Sequence, residues 1–288
     1  MKILVTGASG FVGGRFVADY RDQYDIKTVS LLKTPISEIS LDGVDAIIHC
    51  AALVHQMRGA PREEYFKANY ELTIALAQKA KAFGIKHFIF LSTAHVYGIY
   101  GDIDHPEIIL GPKTSCVPLD PYGESKLAAE KDLLAIQTTD FTISILRPPL
   151  VYGEGAKGNL LSLAKLIHKI PVLPFRYDKN RRSIIYVGNL TYFIHLVIQQ
   201  RAAGIFLPQD QRPLSIEGMV RLLAQSMNCK ILVFRPPQFL LFFLKKALPH
   251  YASRLYGSLA LDSTEGNLKL DYHPPFSTEE GLRRMSAL

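Results

Sequence analysis

The chain has 288 residues, 48% of them hydrophobic and 20% charged, a balance that excludes intrinsic disorder and leaves room for one large core or for two coupled lobes. Its net charge of +7 suits an anionic ligand, but the basic residues are scattered with no long Lys/Arg run and no nucleic-acid-binding module, so a nucleic-acid role is excluded as the leading reading. Cys50, Cys116 and Cys229 are an odd number of widely spaced thiols with no CxxC pair and no His/Cys ligand spacing, so neither a disulfide framework nor a zinc site is indicated, and a glycine turn at Gly7 comes too early for the apolar core of a signal peptide, so a reducing, cytoplasmic location is expected.

Residues 3–5 form a short apolar, β-rich run that enters Gly7-Ala8-Ser9-Gly10, after which Phe11, Val12, Phe16 and Val17 fall at helical spacing. Residues 26–32 read as a second strand and residues 46–52 as a third. Only about a dozen residues separate those two, too few for a crossover helix to fit easily, so one helix–strand unit is trimmed. Residues 63–83 have helical composition and close at Gly84, a C-cap, before a strand at 87–92. The pattern recurs with a helix at 122–135 and a strand at 141–146, which Arg147-Pro148-Pro149 stops because proline cannot donate to a sheet ladder. Alternating helices and nearly continuous apolar strands predict an α/β fold, a doubly wound parallel sheet covered on both faces.

After about residue 150 the alternation loosens into a helix at 160–170, a short strand at 183–187 and a helix at 190–200. The apolar run 239–244, followed by Lys245 and Lys246, is far shorter than the ~20 residues that span a bilayer. It is expected as a buried helix or subunit contact; a membrane-surface helix is the alternative, although such an anchor should carry a distinct polar face. No transmembrane segment is expected.

Gly7, Gly10 and Gly13 stand at three-residue steps where the first strand turns into the first helix. A side chain there would keep the backbone from approaching a pyrophosphate, while the free N–H groups at the helix start favour the anion. The spacing is a variant of the dinucleotide fingerprint, and Phe11 and Val12 complete the loop. The small residues Ala51 and Ala52, at the end of the third strand, would line the same site. Between residues 26 and 37 no acid is present to accept ribose hydroxyls, whereas Lys33 could meet a 2′-phosphate. The cofactor is therefore NAD or NADP, with a slight lean to NADP. This divides the chain into a dinucleotide-binding domain at 1–155, to which part of the later chain returns, and a mainly substrate-binding lobe at 156–288.

Tyr122-Gly123-Glu124-Ser125-Lys126 sets a phenol and an ammonium four residues apart, on one face of a helix. A nearby cation stabilises a phenolate and is expected to bring the phenol's pKa down from near 10 toward the working range. Leu91-Ser92-Thr93 ends an apolar strand, where ligands of such sheets bind and a hydroxyl can orient a reacting oxygen.

With TGASGFVG at 6–13, HCAA at 49–52, LSTAHVYG at 91–98, YGESK at 122–126, RPPLVYGEGAKGN at 147–159 and NRRSIIYVGNL at 180–190, nearly the whole chain resembles the extended short-chain dehydrogenase/reductase family, in its nucleotide-sugar 4-epimerase and 4-keto-reductase branch. The resemblance implies a Rossmann domain with a smaller C-terminal substrate lobe. It matches Thr93 to the catalytic hydroxyl, Tyr122 to the acid/base, Lys126 to the ribose-binding lysine, and Asn159 and Arg182 to positions that hold the sugar nucleotide, Arg182 against its diphosphate. Asn69 matches an asparagine commonly kept near the site, or is a helix-surface amide. The implied substrate is UDP-linked and the implied assembly a homodimer through helices 63–83 and 122–135. The related 4,6-dehydratases carry an Asp-Glu pair after the threonine; Ala94 and His95 stand there instead, which argues against dehydration and makes His95 a packed or surface residue before a catalytic one. A non-catalytic dinucleotide-binding sensor or scaffold is the remaining alternative, opposed by the presence of both Tyr122 and Lys126.

Overall fold

The computed structural model describes residues 1–54, 60–156 and 158–286. Strand β1 (Lys2–Thr6) leads through the glycine turn into α1 (Phe11–Tyr20), and β2 (Asp25–Val29) follows. The expected second strand is cut three residues short because the chain turns at residues 30–33, where the Lys33 amide bonds to the Ser30 carbonyl. Only a 3-10 turn, Ile36–Glu38, lies between β2 and β3 (Ala46–His49), so the helix–strand unit is indeed trimmed.

The helix expected at 63–83 runs as α2 (Arg62–Phe66), a π turn (Lys67–Glu71) and α3 (Leu72–Phe83), and ends at Gly84 with φ 84°. Next come β4 (His87–Leu91), β5 (Ile109–Leu110), α4 (Pro121–Ile136) and β6 (Thr142–Leu146). The second half carries β7 (Leu150–Tyr152), α5 (Asn159–Lys169), β8 (Val172–Leu173), β9 (Ile184–Tyr186), α6 (Val187–Gln200) and β10 (Gly204–Phe206). It closes with α7 (Ile216–Ser226), β11 (Leu232–Val233), α8 (Gln238–Ala247), α9 (Pro249–Tyr256), β12 (Ala260–Leu261), α10 (Thr264–Leu270) and α11 (Thr278–Ser286).

Six strands form one parallel sheet in the order β10-β6-β4-β3-β1-β2. Each face is buried by helices, as the apolar strands require. On one side Phe16 of α1 and Leu190 and Phe193 of α6 pack on Ile3, Val5 and Ile48; on the other Leu76 and Ala77 of α3 and Ala129 and Leu133 of α4 pack on Ile47, Phe88 and Ile143. From the second half of the chain, α6 packs on one face of this sheet and β10 pairs with β6 at its edge. The chain reverses direction across the sheet between β1 and β3, and the crevice beyond their carboxyl ends is where such sheets bind ligands.

The buried reading of α8 holds for one face only. Leu241 and Leu244 pack on the hydrophobic cluster that α5, α7 and α11 share, but Phe239, Phe242 and Phe243 are exposed. Among the described residues no helix is long and apolar enough to cross a membrane.

Candidate active site

At the β1–β3 crevice the glycine turn is shaped by its own chain. Gly7 takes φ +72°, and a Cβ there would lie 2.6 Å from the Ala51 amide nitrogen; one on Gly13 would lie 2.5 Å from the Gly7 carbonyl oxygen. Both glycines thus let the end of β3, with Ala51 and Ala52, and the first turn of α1 close onto the loop. Gly10 is the N-cap of α1 and contributes no side-chain cap, and the first turn through Phe11, Val12 and Gly13 holds no acid. That uncapped N-terminus keeps donors and partial positive charge for an anion, so the residues present fit a dinucleotide pyrophosphate. Lys33 is exposed after β2, and its ammonium has no partner among the described residues.

Beneath the loop His49 is fully buried, with Nδ1 2.7 Å from Thr6 Oγ1 and Nε2 2.8 Å from Thr73 Oγ1. Asn69 sits in the π turn and is also fully buried rather than on the helix surface. Its Oδ1 accepts from the Leu53 amide at 2.7 Å, and its Nδ2 donates to the Leu53 carbonyl at 2.9 Å and to Ser125 Oγ at 3.1 Å. The extra residue of the π turn aims this amide inward, and it ties the segment after β3 to the helix that carries Tyr122.

Helix α4 starts sharply because Asp120 caps it, accepting from the Gly123 amide at 2.6 Å, and Pro121 supplies a preset N1 residue. Tyr122 in its first turn stands beside Thr93, which itself caps a 3-10 turn beyond β4 by accepting from the His95 amide at 3.2 Å. The fold thus brings Thr93 and Tyr122 together beyond the carboxyl end of the sheet. Lys126, one turn on, is buried; its ammonium donates to the Leu91 carbonyl at 2.9 Å and lies 4.4 Å from the centre of the Phe90 ring.

The expected lowering of the phenol is not what this geometry gives. Burial pushes the Tyr122 pKa up to about 12, the Asp120 charge adds to that, and only the neighbouring Thr93 opposes it. The same burial draws Lys126 down to about 8, against the pull of Cys50 and Glu130. His95 packs edge-on against Tyr122 and Tyr100, ring centres 5.8 and 5.1 Å away. Burial raises the Asp120 carboxyl, but the His95 ring 3.8 Å away and hydrogen bonds from the Gly123 amide and Tyr100 bring it down overall.

Two features of this region escaped the sequence. Glu130, another turn along the face of Tyr122 and Lys126, forms a buried ion pair with Arg147 at 2.5 Å and also accepts from Ser92, the neighbour of Thr93. Arg147 Nη1 also reaches the Tyr97 hydroxyl at 2.9 Å. The spacing 122-126-130 was the available signal for Glu130; nothing local signals Arg147. The second feature is a cleft of about 780 Å³ lined by residues 98–104, Asp120, Lys245, Pro249, Tyr251 and Arg254, among others.

Arg182 lies behind that cleft. Its guanidinium donates to the Tyr100, Ser253 and Gly257 carbonyls at 3.2, 3.3 and 3.0 Å, and burial, then Arg254, lowers it to about 10. The structure does not bring it next to Tyr122. Asn159 opens α5, and its side chain lies outside the described residues.

The model of the family described as "NAD dependent epimerase/dehydratase family" matches residues 3–206. A UDP-glucose 4-epimerase of Vibrio cholerae is 30% identical, over 98% of this chain and 94% of the relative. An N-acetyl-alpha-D-glucosaminyl-diphospho-ditrans,octacis-undecaprenol 4-epimerase of Escherichia coli O157:H7 is 29% identical, over 80% and 73%. Among solved structures, dTDP-4-dehydrorhamnose reductase of Bacillus anthracis in complex with NADP superposes with a TM-score of 0.76 at 20% identity, covering 99% of this chain and 98% of the other.

Proposed function

Because the chain belongs to the NAD dependent epimerase/dehydratase family, we propose that it is an NAD(P)-dependent oxidoreductase acting at C4 of a UDP-linked sugar, a 4-epimerase, with Tyr122 as its acid/base. The observation that carries this reading is Tyr122 standing beside Thr93 and one turn from the buried Lys126, set beyond the same sheet edge as the uncapped glycine loop. When bound, the nicotinamide supplies the acceptor and donor of hydride.

The chain's own part is to hold and to move one proton. Gly7, Gly10, Phe11, Val12 and Gly13 bind the pyrophosphate, with Ala51 and Ala52 at the mouth. Tyr122 Oη takes the proton of the C4 hydroxyl on oxidation and returns it on reduction, and Thr93 orients the reacting oxygen. Lys126 holds the cofactor ribose and supplies the charge that favours the phenolate against burial. The sugar nucleotide occupies the cleft and the lobe at 156–288, with Asn159 holding it, while Arg182, its guanidinium engaged by the Tyr100, Ser253 and Gly257 carbonyls, braces the cleft from behind instead of meeting the diphosphate as the resemblance implied. A homodimer contact falls on α2, α3 and α4, where Phe83 and Leu134 are exposed.

A 4-keto-sugar reductase consuming NADPH is the second reading, favoured by the missing acid after β2 and by the exposed Lys33. Purified protein, denatured and assayed by mass spectrometry, separates the two: stoichiometric NAD identifies the epimerase, and an empty protein that takes up NADPH identifies the reductase. Tyr122→Phe is expected to lower turnover by about 10²–10⁴ while cofactor stays bound. Unchanged turnover in that variant removes the acid/base assignment, and a protein that binds cofactor with no turnover on any UDP-sugar returns the reading to a sensor.

A further inference from the structure

The exposed face of α8 has no role in the chemistry above. Phe239, Phe242, Phe243 and Lys246 stand at i, i+3, i+4 and i+7, one stripe of the helix, and the three rings are 75%, 70% and 64% exposed. Leu241 and Leu244 meanwhile bury the opposite side against that hydrophobic cluster. A helix apolar on both sides is ordinarily enclosed, and an outward stripe of three phenylalanines on it needs a cover.

Charge identifies the cover. From Gly218 to Leu261 the chain has no Asp or Glu, yet it carries Arg221, Lys230, Arg235, Lys245, Lys246 and Arg254. Lys230, Arg235 and Lys246 are exposed. Asp104, which reaches the helix from the cleft rim, is paired with Lys245 at 2.5 Å. A second copy of this face, brought up about a two-fold axis, would set the basic residues against themselves with no carboxylate from that stretch to answer them. An anionic lipid surface answers both the rings and the cations.

We infer that the α8 face docks the protein on the surface of an anionic phospholipid bilayer, the phenylalanines entering the headgroup boundary and Lys246 and its basic neighbours meeting lipid phosphates. The wall formed by Lys245, Pro249, Tyr251 and Arg254 belongs to α8 and α9, so docking sets the mouth of the cleft at the membrane.

The sequence contains no tryptophan, so Phe242→Trp places a single reporter in the stripe. With vesicles of phosphatidylglycerol and phosphatidylcholine its emission is expected to move to shorter wavelength as the protein co-sediments, with no such change for phosphatidylcholine alone. Phe239→Ser/Phe242→Ser/Phe243→Ser is expected to lower the bound fraction at least ten-fold with the far-UV circular dichroism and unfolding midpoint retained. Lys246→Glu, which leaves the rings in place, is expected to weaken binding on the order of ten-fold. No spectral change with anionic vesicles, equal binding to neutral ones, or a blue shift that follows protein concentration and doubles the size in gel filtration, would each overturn the proposal, the last by making the stripe a contact between copies.

Discussion

His49 has both ring nitrogens engaged by threonine hydroxyls, and burial draws its pKa down to about 3; burial likewise draws His87 to about 4, with Arg201 adding to it. Each imidazole is neutral in the folded chain, while in the unfolded chain it gains a proton near pH 6.5. Between about pH 6.5 and these depressed values the unfolded state binds more protons, so stability is full above pH 6.5 and falls as pH drops, by about 1.4 kcal/mol per pH unit for each group. Urea midpoints at pH 7 and pH 5 check the slope, and His49→Gln is expected to remove close to half of it. A slope unaltered by that change would assign the acid sensitivity to carboxylates instead. At this scale the residues read from sequence were those whose role depends on near neighbours. Gly7 and Gly13 bracket one turn, and Tyr122 and Lys126 share one helix face; the inward aim of Asn69 needed the π turn, which has no sequence period of its own.

Helix α4 carries Tyr122, Lys126 and Glu130 on successive turns of one face, and each is fixed by a different element: Thr93 beyond β4, the Leu91 carbonyl, and Arg147 after β6. Glu130 and Arg147 are nearly inaccessible to water, so removing one charge leaves the other buried without its partner. Glu130→Gln is therefore expected to destabilise the protein by about 3–5 kcal/mol, and Glu130→Leu/Arg147→Met by less than that, as measured by chemical denaturation. Because Glu130 also accepts from Ser92, the single variant should lower kcat as well by loosening the Thr93 end of the site. A double variant no more stable than the single one would show that the pair is not isolated from its surroundings. The order and type of the main elements were legible because each strand is continuous in apolar residues and each break is marked by glycine or proline. The Glu130–Arg147 pair was not legible: its members are 17 positions apart with strand β6 between them, and only the closed sheet brings them together.

For the whole molecule, a dinucleotide at the β1–β3 crevice stabilises the folded state alone. At 100 times its Kd this is worth about 2.7 kcal/mol. For a chain of this size that is expected to raise Tm by roughly 5–10 °C, read by thermal melts with NAD and with NADP, and the larger shift names the preferred cofactor. No shift with either would remove the cofactor from the proposed function. The trimmed unit between β2 and β3 also bears on how the protein behaves in a crowded solution. With no further strand beyond it among the described residues, β2 is the rim of the sheet, and its outer row of amides and carbonyls is a template on which another chain could add. Asp25, Lys27 and Thr28 are exposed there, and Lys27 folds over to the Ser40 carbonyl at 3.2 Å. A sheet that ends in an open strand guards it with charge, so changes at Lys27 are expected to lower resistance to aggregation while leaving turnover unchanged.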